Sequence, residues 1–110
     1  MTETSIKLFE SRKIRTHWDE TEEQWYFSVI DVVEVLTEST IPKRYWSDLK
    51  KKLTSEGSEV YEKIVRLKMI ADDGKNRETD AADTKTLLRI IQSIPSPKAE
   101  PFTQWLAKVG

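Results

Sequence analysis

The side chains best suited to chemistry in this sequence are the cations that follow Pro42. Apolar residues recur there at helical spacing, with Trp46, Leu49 and Leu53 on one stripe. At 100° per residue, an arc of about 120° beside that stripe carries only cationic and hydroxyl side chains. This arc consists of Lys43, Arg44, Ser47, Lys50 and Lys51. Such a face predicts contacts with phosphates, as in a helix that enters a DNA groove, although a solvated helix surface is the commoner use of the pattern.

A second group of cations lies on a predicted β-hairpin. Val65, Leu67 and Met69 alternate with positively charged residues, and a turn over 72–76 leads into a returning strand. The cations of this hairpin are Arg66, Lys68, Lys75 and Arg77. A basic ribbon of this kind can contact the DNA backbone, whereas the structural alternative is a charged strand that protects a sheet edge.

Residues suited to catalysis or metal binding are few. The chain has no cysteine and one histidine, His17, so neither a thiolate site nor a histidine pair can be built. Asp48 and Asp83 each precede a lysine by two positions, as in some nucleases, but three-residue matches are near chance in a chain with 34% charged residues. We therefore expect no enzyme activity, no metal, no cofactor and no small-molecule substrate.

The length and charge of the chain set further limits. At 110 residues there is room for one domain, and 37% hydrophobic residues suffice for a core. Residues 1–40 carry four Lys and Arg against nine Asp and Glu, whereas residues 41–110 carry fourteen against ten. The basic second part hints at an anionic partner. No apolar run reaches membrane-spanning length and no signal peptide is evident, so we expect a cytoplasmic protein without membrane contact.

The remaining pattern predicts an α+β fold, a small single domain with two β-hairpins and about four short helices. An acidic loop over 19–23 separates two alternating segments, and symmetric closure would place Trp18 opposite Trp25. Ser28 and Asp83 are candidate N-caps of helices. A last helix carries Phe102, Trp105, Leu106 and Val109 on one stripe.

Several segments together resemble the Bro-N domain of prophage antirepressors and DNA-damage-inducible proteins. The run from Trp25 to Leu36 is similar to the family's aromatic strand and Asp-Val helix, although Thr37 stands where the family often has glycine. The closing pattern lies in 87–106, where Phe102 and Trp105 follow a Ser/Pro break. Segments 44–50 and 92–102 look like the DNA-damage-inducible protein D subgroup. The similarity extends from about Ile6 to Gly110.

This resemblance implies a DNA-binding regulatory module of the antirepressor or DNA-damage-response type, without established catalytic residues. It favours the phosphate-binding interpretation of the basic helix face over the solvated one, and the basic hairpin stays a second candidate, for which the sequence alone favours a solvated strand. The alternative is a protein–protein interaction or dimerisation domain that acts on a repressor or a DNA-repair partner. Because such domains usually precede a separate region, we expect residues 1–110 to be the N-terminal part of a longer protein.

Overall fold

The structure is a computed structural model that describes residues 5–57 and 59–109. The strands are β1 to β5, at Ser5–Phe9, Arg12–Asp19, Gln24–Ser28, Val65–Ile70 and Asn76–Asp83. The helices of this described part are α1 to α5, at Val29–Thr37, Pro42–Ser55, Val60–Lys63, Thr84–Gln92 and Ala99–Val109. The predicted α+β class is confirmed, and the short α3 is an addition to the four expected helices. None of the helices in these ranges is long and apolar enough to cross a membrane.

The strands form one antiparallel sheet in the order β1-β2-β3-β5-β4. In the first hairpin Trp18 pairs with Trp25 and Thr16 with Phe27, so the predicted register is confirmed. The second predicted hairpin, β4–β5, is also present, with Met69 opposite Arg77. The sequence did not predict that β3 and β5 pair with each other and join the two hairpins.

Helix α1 starts directly after the last residue of β3, and it packs between β2 and β5. The hydroxyl of Ser28 caps it by accepting from the Asp31 backbone N–H. The backbone N–H of Arg15 on β2 donates to the Asp31 carboxylate at 2.9 Å, because β3 no longer runs beside it. The sheet therefore opens at the end that holds the β1–β2 and β4–β5 turns, which we call the two hairpin turns, and α1 fills part of that opening.

The core lies between the sheet and α1, α2, α4 and α5. The alternating strands and helical stripes predict seven large apolar residues in this core, of which Phe27, Val33, Trp46 and Leu49 are almost fully enclosed. The other three, Trp25, Leu88 and Trp105, are only partly buried but pack against that core.

The two ends of the described chain meet in an aromatic cluster. Phe9 on β1 lies edge-on to Phe102 and Trp105 of α5, with ring centroids 5.0 Å and 5.7 Å apart. The indole N–H of Trp105 donates to the Leu8 carbonyl oxygen at 2.8 Å. Helix α5 is thereby fixed against β1 of the β1–β2 hairpin.

Candidate nucleic-acid interface

Helix α2 presents the predicted cations because its opposite side is buried. Pro42 stands in the first turn, where its missing N–H is not needed by the helix. Trp46, Leu49 and Leu53 are the buried residues of α2, as the sequence predicted. Four of the five predicted contact residues on this helix are exposed: Lys43, Arg44, Ser47 and Lys51.

Lys50 differs from the other cations of α2, because it is held by a buried carboxylate. Its Nζ lies 2.8 Å from Oδ2 of Asp80 on β5, and its side chain is 30% exposed. The Trp46 indole N–H donates to the same oxygen at 2.7 Å. Arg66 on β4 approaches Oδ1 of Asp80 at 3.9 Å. Asp80 therefore joins α2 to the second hairpin.

The Asp80 carboxylate remains charged despite its burial. Desolvation raises the pKa of Asp80, but hydrogen bonds from Lys50 and Trp46 and the charges of Lys50 and Arg66 outweigh it, so the net pKa lies below its ordinary value. An ionised carboxylate with these partners keeps the cations of the helix and the hairpin close together. The sequence analysis assigned Asp80 no role, since a strand aspartate gives no local signal of a partner 30 positions away.

The two predicted basic groups thus meet on one face of the sheet. Arg66 is the cross-strand partner of Asp80, and Lys68 is the partner of Glu78, so these four residues point to the same side as α2. Arg66 also lies 3.5 Å from Glu78, with both side chains largely exposed. We call the set Lys43, Arg44, Ser47, Lys50, Lys51, Arg66 and Lys68 the α2–β4 surface.

The other two hairpin candidates lie outside the α2–β4 surface. Arg77 pairs with Met69 in the sheet and therefore points to the opposite face, where its guanidinium forms an ion pair with Asp73. Hydrogen bonds from Arg77 and the Lys75 backbone lower the pKa of Asp73. Lys75 is exposed in the turn itself. The nine predicted residues accordingly do not form a single patch.

A cleft of about 1180 Å³ opens between the two hairpin turns, and three of the predicted residues line it: Lys43, Arg44 and Arg77. Its inner wall includes Arg15, whose guanidinium donates to both Asp31 carboxylate oxygens at 2.8 Å and 2.9 Å. The same guanidinium donates to the Ser28 hydroxyl and to the Ile70 carbonyl oxygen. Hydrogen bonding to Asp31 raises the pKa of Arg15, which stays charged. Arg15 thus connects β2, α1 and the end of β4.

The residues considered for catalysis have structural surroundings. Asp83 caps α4, because its Oδ1 accepts from the Thr86 backbone N–H at 2.8 Å. Asp48 is exposed on α2, one position from the buried Leu49. Among residues 5–57 and 59–109, no group of three or more His, Asp or Glu side chains is placed to hold a metal ion. The chemistry that the exposed cations support is the binding of anions.

Comparison with known proteins gives one likeness. The family model described as "Bro-N: BRO family, N-terminal domain" matches residues 13–109. Neither the curated proteins nor the solved structures contain a match. The matched range includes β2 without its first residue, β3 to β5 and the helices α1 to α5, and with them the α2–β4 surface.

Proposed function

This chain belongs to the BRO family as its N-terminal domain, a phage antirepressor-type domain, and from that premise we propose that it is a DNA-binding regulatory module. The observation that carries the proposal is the exposed cationic side of α2, opposite a fully packed apolar stripe. Cations on a helix that is fixed by its own core can contact phosphates without a large ordering cost.

The cations of the α2–β4 surface are not equivalent in this proposal. Within the described ranges, Lys43, Arg44 and Lys51 form no ion pair, so their full charge is available to phosphates. Lys50 and Arg66 already share Asp80, which reduces the charge that they offer. We assign the phosphate contacts to the first group, with Ser47 as a hydrogen-bond donor. Lys68 and Lys75 lie to the side and would reach a longer duplex.

The regulatory setting is a finer proposal. Segments 44–50 and 92–102 support a place near the DNA-damage-inducible protein D subgroup. A family described by its N-terminal domain also supports a longer natural protein, in which DNA binding here would be coupled to a further region.

The salt dependence of DNA affinity tests the assignment. Each phosphate neutralised on a duplex contributes about 0.9 to the slope of log affinity against log salt. We expect the double variant Lys43→Ala/Lys51→Ala to flatten that slope by up to about two contacts, measured by fluorescence anisotropy over a salt series. Folding should be almost unchanged, because both side chains are exposed.

Lys52→Ala is the matched control, since Lys52 is an exposed cation on the same helix but points away from Lys43. It should leave the slope nearly unchanged. If Lys52→Ala weakens binding as much as the double variant, or if the wild-type chain binds no DNA even at low salt, the assignment is wrong.

A further inference from the structure

The cleft between the hairpin turns has an apolar rim in addition to its cations. Ile6, Ile41 and Ile70 line it, and their exposed fractions are 55%, 55% and 50%. They come from β1, from the residue before α2 and from the end of β4, so only the fold brings them together. Half-exposed aliphatic side chains around a concave surface are typical of a site that receives an apolar group.

The charges of the cleft favour an acidic partner. Its cations are Arg12, Lys13, Arg15, Lys43, Arg44 and Arg77, and its acids are Asp31, Glu34, Asp72 and Glu78. Arg15 and Asp31 neutralise each other and Arg77 is paired with Asp73, so four cations remain against three acids and the cleft is net positive. In the described part of the chain, Arg12 and Lys13 on one wall and Lys43 and Arg44 on the other form no ion pairs.

The cleft is also preorganised. The Arg15 guanidinium donates both to Asp31 of α1 and to the Ile70 carbonyl oxygen. These contacts hold the β1–β2 hairpin and the β4–β5 hairpin at a fixed separation. A preformed concave site loses less entropy when it binds an extended segment than a site that must first be ordered.

We propose that this cleft docks a segment of a partner protein in which acidic residues flank a large apolar side chain. The apolar side chain lies against Ile6, Ile41 and Ile70, and the carboxylates meet the cations of the two walls. A nucleic acid fits less well, because a phosphate backbone leaves the three isoleucines without an apolar contact. The site shares Lys43 and Arg44 with the α2–β4 surface and differs from it in Arg12, Lys13 and the isoleucine rim.

Selection from a displayed library of random 12-residue peptides tests the proposal with the complete chain as the target. We expect the enriched peptides to carry an excess of Asp and Glu together with at least one Leu, Ile, Phe or Trp. Their affinity, measured by fluorescence anisotropy with synthetic peptides, should fall at least about tenfold in Ile41→Ser and in Arg12→Ala/Lys13→Ala.

Two control variants carry matched changes outside the cleft. Tyr61→Ser removes a 58% exposed apolar side chain, and Lys51→Ala/Lys52→Ala removes two exposed charges from α2. Both should bind the peptides within about twofold of wild type. Thermal unfolding should show that all four variants are folded, and Ile41 and Arg12 are exposed enough for this to be expected.

Three outcomes would overturn the proposal. One is that no acidic peptides are enriched; another is that the controls weaken binding as much as the cleft variants do. The third concerns duplex DNA: wild type binds it, Arg12→Ala/Lys13→Ala flattens the salt slope of its affinity by about two contacts, and Ile41→Ser leaves that affinity unchanged. In the same outcome, no peptide depends on Ile41 for its affinity. That result would make the cleft an extension of the DNA surface.

Discussion

At the residue scale, Asp80 is the buried carboxylate that links α2 to the β4–β5 hairpin. One buried carboxylate accepts from Trp46 and Lys50 and faces Arg66, and so it fixes a helix, a strand and two cations in one arrangement. The sequence showed that Lys50 is a cation beside an apolar stripe. It could not show that the charge of Lys50 is already shared, because that depends on a strand that packs against α2 in three dimensions.

We predict that Asp80→Asn lowers the free energy of unfolding by about 1–3 kcal/mol at neutral pH. The amide can still accept from Trp46, but the charge opposite Lys50 and Arg66 is lost. Since the pKa of folded Asp80 is lowered, its contribution is present above the ordinary aspartate pKa of about 3.9 and disappears as pH falls through the folded value. Urea unfolding of wild type and variant between pH 3 and 7 should therefore show a constant difference in stability near neutral pH, which begins to shrink only below about pH 4.

Glu78→Gln is the control for Asp80, because Glu78 is on the same strand and face but its side chain is 58% exposed. It should change stability by less than about 0.5 kcal/mol at any pH. Equal effects of the two substitutions would contradict the special position of Asp80.

At the scale of elements, the sequence predicted what local patterns determine. Alternation set the register of Trp18 and Trp25, and hydroxyl or carboxyl caps at Ser28 and Asp83 marked two helix starts. The sequence did not predict the pairing of β3 with β5, because it joins the distant residues Tyr26 and Asp83 and involves small residues such as Ala82. The sequence did not predict the cleft either, because its walls come from segments that are distant in the sequence.

The β1–β2 turn is an element whose sequence does not match its geometry. Glu10 and Ser11 connect the strands with φ angles of 48° and 67°, as in the tight hairpin turns that favour Asn-Gly. We predict that Ser11→Gly raises the free energy of unfolding by about 0.5–1 kcal/mol, because glycine adopts this region without the steric cost of a Cβ. Thermal unfolding should show a midpoint higher by a few degrees.

Ser47→Gly makes the same chemical change in the middle of α2, where glycine lowers stability. The two variants should therefore shift the midpoint in opposite directions. A lower midpoint for both would contradict the strain assigned to Ser11.

At the scale of the whole molecule, helix α5 closes the core by its contact with β1 of the β1–β2 hairpin. The predicted stripe of α5 is confirmed for Phe102 and Leu106, which are fully buried. Trp105 is more exposed than predicted, because it lies across the edge of the sheet over Phe9. Family membership followed from the order of motifs along the chain, whereas the charge pattern alone favoured a solvated surface over a binding surface.

We predict that Trp105→Ala lowers the free energy of unfolding by about 3 kcal/mol, since it removes ring contacts with Phe9, Phe27 and Phe102. Trp105→Phe keeps part of the ring contact and loses the hydrogen bond to Leu8, so about 1 kcal/mol is expected. Chemical denaturation monitored by circular dichroism gives both values.

Trp18→Ala is the comparison, because Trp18 is 42% exposed and its ring contacts only that of Trp25 among the ring contacts described. Its cost should be clearly smaller, about 1 kcal/mol. If Trp18→Ala and Trp105→Ala destabilise the fold equally, α5 is not the element that closes the core.

The contact between Leu8 and Trp105 joins positions 97 residues apart, and this separation has a consequence for synthesis on the ribosome. At about 5–20 residues per second, roughly 5–20 s pass between the addition of Phe9 and of Trp105. For most of that interval the β1–β2 hairpin is complete in sequence, but the helix that covers Phe9 has not yet been made. The nascent chain thus exposes Phe9 until almost the whole domain has emerged from the ribosome, so chaperones and proteases can reach this segment before α5 covers it.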